Sequence, residues 1–435
     1  MKLSIIVPAV FTALLIPAAS HAAVCSVPSG SYPTIQSAAN DPTCTQINVA
    51  AGPYSENVVV NYSTTINGAQ AGNSFSGRTS GGPAESTVQG LNPIGSNPVF
   101  TIKAANVVID GFTIKNSITT GAAVGIDVKV SGNGALITNN ILDGIMTSDT
   151  GGNGTAQAVD LETGPDQVQI IANEMKNVTS ARSAKGVLIG FNGGTDPSQD
   201  TLIQSNSIHD ITSSTRGAYA VVVSNVNPGT SNLTVTSNTI SNLNGGGWVH
   251  AIGLEGDAPN VMIMSNDFSN LNSSTADNIA VWFENEDVSF SSGTVNGNNF
   301  NVNAPIYGIA VHPALSGSPV DGTCNWWNSS TGPTNPSNSG GTGAQASANV
   351  TFSPWLISPG PNALCAANQK DCHDAAEQQE KDFNDQQKAD KKAFDATHPT
   401  PDQRKAFDNH QKADKAAFQA QYNSEEMQCK QLPKN

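Results

Sequence analysis

The chain has 435 residues, and only 13% of them are charged, where globular proteins average about a quarter. The formal net charge of −15 argues against a nucleic-acid partner, which needs a basic footprint. Mean hydropathy is −0.24, and no segment after the N-terminus approaches about 18 apolar residues, so no transmembrane segment is expected in the mature chain.

In chain order, the first element is an export signal. Lys2 is followed by an apolar run from Leu3 to Ala18, and Ser20-His21-Ala22 puts small residues at the cleavage positions. Residues 1–22 therefore read as a signal peptide. The expected location is secreted, extracellular or at the cell surface, with the periplasm as the alternative. Six cysteines remain: Cys25, Cys44, Cys324, Cys365, Cys372 and Cys429. An even count in an exported chain favours disulfides, although six cysteines allow 15 connectivities. The local choice is Cys25–Cys44, Cys324–Cys365 and Cys372–Cys429. No pair has zinc-site spacing.

The body carries a repeat. A five-residue phrase, small-apolar-any-apolar-any, starts at Gly125, Ala158, Gly186, Ala220, Ala251, Ala280 and Gly308, at intervals of 28 to 34 residues. Its alternation is that of a strand with one buried face. A second phrase, an Asn followed by any residue and then an apolar one, carries a corner Asn: Asn173, Asn206, Asn238, Asn266 and Asn298. Asn tolerates left-handed backbone and can bond neighbouring main chain. Stacked corners would set these side chains in a ladder. Short strands and a period near 30 predict an all-β solenoid in which stacked coils share one core. The predicted organisation is an N-terminal cap over residues 23–50 and a solenoid with its closing coil over 51–365. A helical tail follows over 366–435.

The tail changes character. It holds 11 of the 20 Lys and Arg and 13 of the 35 Asp and Glu, and strong helix formers dominate it. Thr400-Pro401-Asp402-Gln403 reads as an N-cap, a first-turn proline and a capping box. Phe394 and Phe407, Phe383 and Phe418, and Cys372 and Cys429 are each equidistant from the point between Thr400 and Pro401. An antiparallel α-helical hairpin would place each pair side by side. Such an appendage suits a spacer or a protein-interaction module.

In a stacked solenoid, equivalent residues of adjacent coils lie about 4.8 Å apart and alternate residues on a strand about 6.7 Å apart. The third phrase position gives Asp127, Asp160, Leu188, Val222, Gly253, Trp282 and Ala310. The fifth gives Lys129, Glu162, Gly190, Ser224, Glu255, Glu284 and His312. These positions are expected to face outwards. Asp127, Asp160 and Glu162 form one candidate catalytic cluster. Stacked carboxylates should raise one pKa. Asp160 and Glu162 have the spacing of an inverting glycosidase pair, and three carboxylates are also a candidate Ca²⁺ site. Lys129 pairing with Glu162 across coils is the plainer alternative. Trp282, Glu255, Glu284 and His312 form a candidate binding cluster, with Glu286 and Asp287 adjacent. A Trp beside carboxylates suits a sugar ring.

Residues 45–356 resemble the right-handed parallel β-helix proteins of the pectate-lyase-like superfamily. The segment from Ile47 to Val58 is similar to the opening coil of pectin-methylesterase-like members. Cys324-Asn325-Trp326-Trp327 through Ser353-Pro354-Trp355-Leu356 is similar to the closing coil of bacterial surface β-helix proteins, with Asn328 where Gly is usual. The resemblance implies a right-handed solenoid and a polysaccharide ligand. Pectate lyases use Ca²⁺ and an arginine base. The mature body here has only Arg78, Arg182 and Arg216, none on a repeat strand, although Arg182 and Lys185 could reach over the first cluster. The polygalacturonase phrases are absent. Gln199-Asp200-Thr201-Leu202 spells an esterase phrase without its flanking motifs. The expected function is a secreted or surface β-helix that binds glycan or serves in display without catalysis. The alternative is a lyase, glycoside hydrolase or epimerase using the outward carboxylates.

Overall fold

The computed structural model describes residues 23–91, 97–193, 196–224, 230–284, 293–315, 319–360, 363–430, 432 and 434. The proposed signal peptide, Glu286 and Asp287 lie outside them. The chain forms a parallel β-solenoid followed by two helices. Its coils build three long sheets of 12, 11 and 9 strands. The seven repeat phrases all lie in the eleven-stranded sheet, on strands from Ala123–Val128 to Tyr307–Val311.

Coil-on-coil stacking explains the small residue that opens each phrase. A Cβ on Gly186 would lie 2.5 Å from the Ala220 carbonyl and 2.8 Å from Ile208. That residue and the apolar one after it both turn inwards, and Ala158 and Val159 are fully buried. The core is a continuous file of Ile, Val, Leu and Phe along the axis. Burial of this kind stabilises by about 25 cal/mol per Å² of apolar surface.

The corner asparagines do form a ladder, and it is longer than the phrase predicts. Asn140, Asn173, Asn206, Asn238, Asn266, Asn298 and Asn325 are buried in a row. Each Nδ2 donates to the next Oδ1 at 2.9 to 3.1 Å. The left-handed backbone is not theirs. It belongs to the residue before each: Asn139, Ala172, Ser205, Ser237, Ser265, Gly297 and Cys324 all have positive φ. The Asn is kept for its amide, which satisfies buried main chain that the corner leaves unpaired.

Helix α1 (Ile35–Ala39) buries Ile35 and Ala38 at the start of the core. The Glu56 carboxylate accepts from the Ile35 and Gln36 amides at its N-terminus. The cysteines pair as Cys25–Cys44, Cys324–Cys365 and Cys372–Cys429, with Cα separations of 5.6, 5.2 and 5.5 Å. Towards the C-terminal end of the solenoid Trp327 is fully buried and packs at a tilt against Phe300, with ring centroids 5.1 Å apart.

The tail is an antiparallel pair, α2 (Gln369–Asp395) and α3 (Pro401–Cys429). Thr400 caps α3 in a reciprocal box with Gln403. Both mirror-related phenylalanine pairs stack with centroids 4.2 Å apart and planes 5° from parallel. Among the described residues no helix is long and apolar enough to cross a membrane.

Candidate functional site

Three columns of side chains run along the outer face of the eleven-stranded sheet. Two are the third and fifth phrase positions, as expected. Strand pairing aligns Asp127 with Asp160, Asp160 with Leu188, Leu188 with Val222, and Gly253 with Trp282. The sequence reading missed a column altogether. It is set by the residue before each phrase, where Val124 pairs with Gln157, Gln157 with Lys185, and Lys185 with Tyr219. Because two successive residues turn inwards at the small position, strict alternation fails there, and the preceding residue returns to the outer face.

At the first cluster, Asp127 and Asp160 are in register on adjacent coils. Lys129 Nζ lies 2.6 Å from Asp127 and 2.8 Å from Glu162. The cross-coil pairing of Lys129 with Glu162 is thus the arrangement adopted. A Ca²⁺ held by these carboxylates would have to displace that ammonium, so the residues as arranged do not fit the ion. Burial pushes the Asp127 carboxyl up, against the pull of Lys129. Burial, then the Asp127 charge, pushes Asp160 up to about 7. The residue as a whole is only half-buried, but its Oδ1 is enclosed without a hydrogen-bond partner. Asp127 Oδ1 and Gln157 Oε1 share that condition.

A groove of about 290 Å³ begins beside this cluster. Leu188 and Val222 form an outer apolar patch with Tyr219, separate from the main core, and line the groove. Arg182, Lys185 and Arg216 supply its cations, and Tyr219, Trp248 and Glu255 also line it. Arg182 and Arg216 each stand two residues before the paired positions Ala184 and Ala218, so they occupy equivalent corners of neighbouring coils. None of the three cations has an ion-pair partner among the described residues. The remaining arginine of the body differs: Arg78 is buried and bonds Glu85 at 2.6 Å. Burial pushes the Lys185 ammonium below its usual range, opposed by Asp160 and then Glu255.

The aromatic side of the groove is a relay of hydrogen bonds. Trp248 Nε1 donates to the Tyr219 hydroxyl at 2.5 Å, which donates to Glu255 Oε1 at 2.6 Å. Gly217 makes room for the indole, since a Cβ there would lie 2.3 Å from Trp248 Nε1. Burial pushes the Tyr219 phenol far up, so it remains a donor, and burial also raises Glu255.

Beyond Trp248 the expected binding residues do come together. Ring centroids follow one another from Trp248 to His250 at 6.3 Å, to Trp282 at 5.4 Å, and to His312 at 6.0 Å. Trp282 Nε1 donates to Glu284 at 3.2 Å. His250, which the sequence reading did not include, is 6% exposed, and neither ring nitrogen has a hydrogen-bond partner. Elsewhere, His373, Glu426 and Cys429 are close enough to suggest a metal, but Cys429 is committed to a disulfide.

No protein-family model matches the chain, and no curated protein matches it. Among solved structures, the crystal structure of the Dettilon tailspike protein is similar, at 15% identity and a TM-score of 0.39. The match covers 71% of this chain and 62% of that one, under two thirds of its length. A likeness at this score carries no argument about function.

Proposed function

We propose that this protein is an exported β-solenoid that binds an acidic polysaccharide along the outer face of its eleven-stranded sheet. The observation that carries the reading is the groove of Arg182, Lys185 and Arg216. Residues 1–365 hold only 9 Lys and Arg against 22 Asp and Glu, yet three of those cations converge on one cleft, none of them in an ion pair among the described residues. Guanidinium groups match sugar carboxylates in planar, bidentate fashion. Tyr219 and Trp248 add ring faces for the sugar. The resemblance to pectate-lyase-like proteins supports the same ligand class, and three disulfides suit an oxidising compartment.

The test is retention of purified protein on immobilised acidic and neutral polysaccharides, with and without Ca²⁺. Retention on acidic polymers that is independent of Ca²⁺ is the expected result. Retention on neutral polymers alone would reject the reading.

Catalysis is a second reading, favoured by one observation: a carboxyl near 7 with an enclosed, unbonded oxygen, Asp160, at the groove's edge. Such a group is suited to general acid chemistry near neutral pH. Turnover of a bound polymer that disappears in Asp160→Asn would establish it. Binding without turnover would leave the protein a lectin-like module.

A further inference from the structure

The outer face changes its charge along the solenoid axis. The cations Arg182, Lys185 and Arg216 stand on the coils of the phrases at Gly186 and Ala220. The next two coils present Glu255 and Glu284 in the fifth-position column, beside Trp248, His250 and Trp282. Successive coils are about 4.8 Å apart, so a polymer following the face meets cations and then carboxylates. A polyanion charged at every sugar would be attracted over the first part and repelled over the second.

The second part is built to take something uncharged. Its rings, Trp248, His250 and Trp282, follow one another in file. Glu284 is held by Trp282 at 3.2 Å and Glu255 by Tyr219 at 2.6 Å, with carboxylate lone pairs to spare for hydroxyl donors. Stability alone does not account for the arrangement. His250 is enclosed between Tyr219, Trp248 and Trp282 with both nitrogens unbonded, and Asp277 Oδ1 is 3.5 Å from Nε2. An unsatisfied buried polar group is a cost that calls for a reason. Spacing two indoles along a ligand path supplies one. The row is continuous with the groove, because Trp248 and Glu255 line both.

Resting on the acidic-glycan reading above, we infer that the ligand is a heteropolysaccharide that combines charged and uncharged sugars. The charged sugar lies over Arg182, Lys185 and Arg216, and an uncharged pyranose stacks on Trp282 between Glu255 and Glu284.

The experiment compares affinities of the full mature chain for polygalacturonate, which is charged at every sugar, with those for hyaluronate, chondroitin and xanthan, which mix charged and uncharged sugars. Dextran is the uncharged control. At least one mixed polymer is expected to bind more tightly than polygalacturonate. Trp282→Ala should weaken that binding about tenfold, as loss of a stacking contact does, and should leave polygalacturonate unchanged. His312→Ala should act in the same direction, and an unchanged melting temperature confirms that both variants fold. If polygalacturonate binds as tightly as every mixed polymer, or if Trp282→Ala weakens both equally, the inference is overturned while the acidic-glycan reading stands. If only dextran binds, or nothing does, both are overturned.

Discussion

Asp127 and Asp160 face each other in register on neighbouring coils, but only Asp127 is bonded by Lys129, at 2.6 Å. Asp160 is left with burial and a like charge, and its carboxyl rises to about 7. An unfolded aspartate titrates near about 3.9. The folded state therefore holds the extra proton between those values, and this contribution to stability is present below about pH 4 and lost as pH rises through about 7. Asp160→Asn should flatten that decline. Above pH 8 it should stabilise by on the order of 2 kcal/mol, discounted for the nearby charges of Lys185 and Lys129. Denaturant melts of both proteins from pH 4 to 9 check this. An unchanged slope would mean that Asp160 titrates normally.

The asparagine ladder makes a sharper stability prediction. Asn238 accepts from the Asn206 side chain and amide and donates to Ile203 O and Asn266 Oδ1. Asn238→Ala strands several buried groups at about 1–3 kcal/mol each, so a loss of about 3 kcal/mol or more is expected. The exposed Asn232, which bonds Asp200 at 2.9 Å, is the matched control. Asn232→Ala, at a left-handed position (φ 54°) that Asn tolerates better than Ala, should cost about 1 kcal/mol. Equal losses at the two sites would refute a structural role for the buried row.

In the hairpin, peptide mapping without reduction should recover Cys372 linked to Cys429. A double-mutant cycle on Phe383 and Phe418, stacked at 4.2 Å, should give a coupling of about 0.5–1.5 kcal/mol. Free thiols, or zero coupling, would contradict an antiparallel pair in this register.

Much of this architecture is legible in the residues because stacking imposes one period on everything that packs inside. The phrase at Ala158 and its six counterparts locate the sheet, and the symmetry of Phe394 and Phe407 about Thr400 locates the hairpin turn. The functional face is only partly legible. Asp127, Asp160 and Trp282 follow from alternation, but Gln157, Lys185, Tyr219 and His250 do not, since the doubled inward step at the small residue breaks the alternation. Arg182 and Arg216 lie off the strands. Their separation equals that from Gly186 to Ala220, and this was the available sign that they stack. That Lys129 would be drawn to both Asp127 and Glu162, rather than leaving those carboxylates free for a cation, depends on side-chain reach that periodicity does not encode.

The central claim is that Arg182 and Arg216 of the groove hold an acidic polymer. Calorimetric titration of polygalacturonate into the protein and into its Arg182→Ala/Arg216→Ala variant tests it most directly. The wild-type affinity should fall as salt is raised. The variant should bind at least about tenfold more weakly, with a melting temperature close to that of the wild type, because among the described residues neither guanidinium makes a hydrogen bond or ion pair and Arg182 acts on Asp149 only through its charge. Equal affinity in the two proteins would contradict the account.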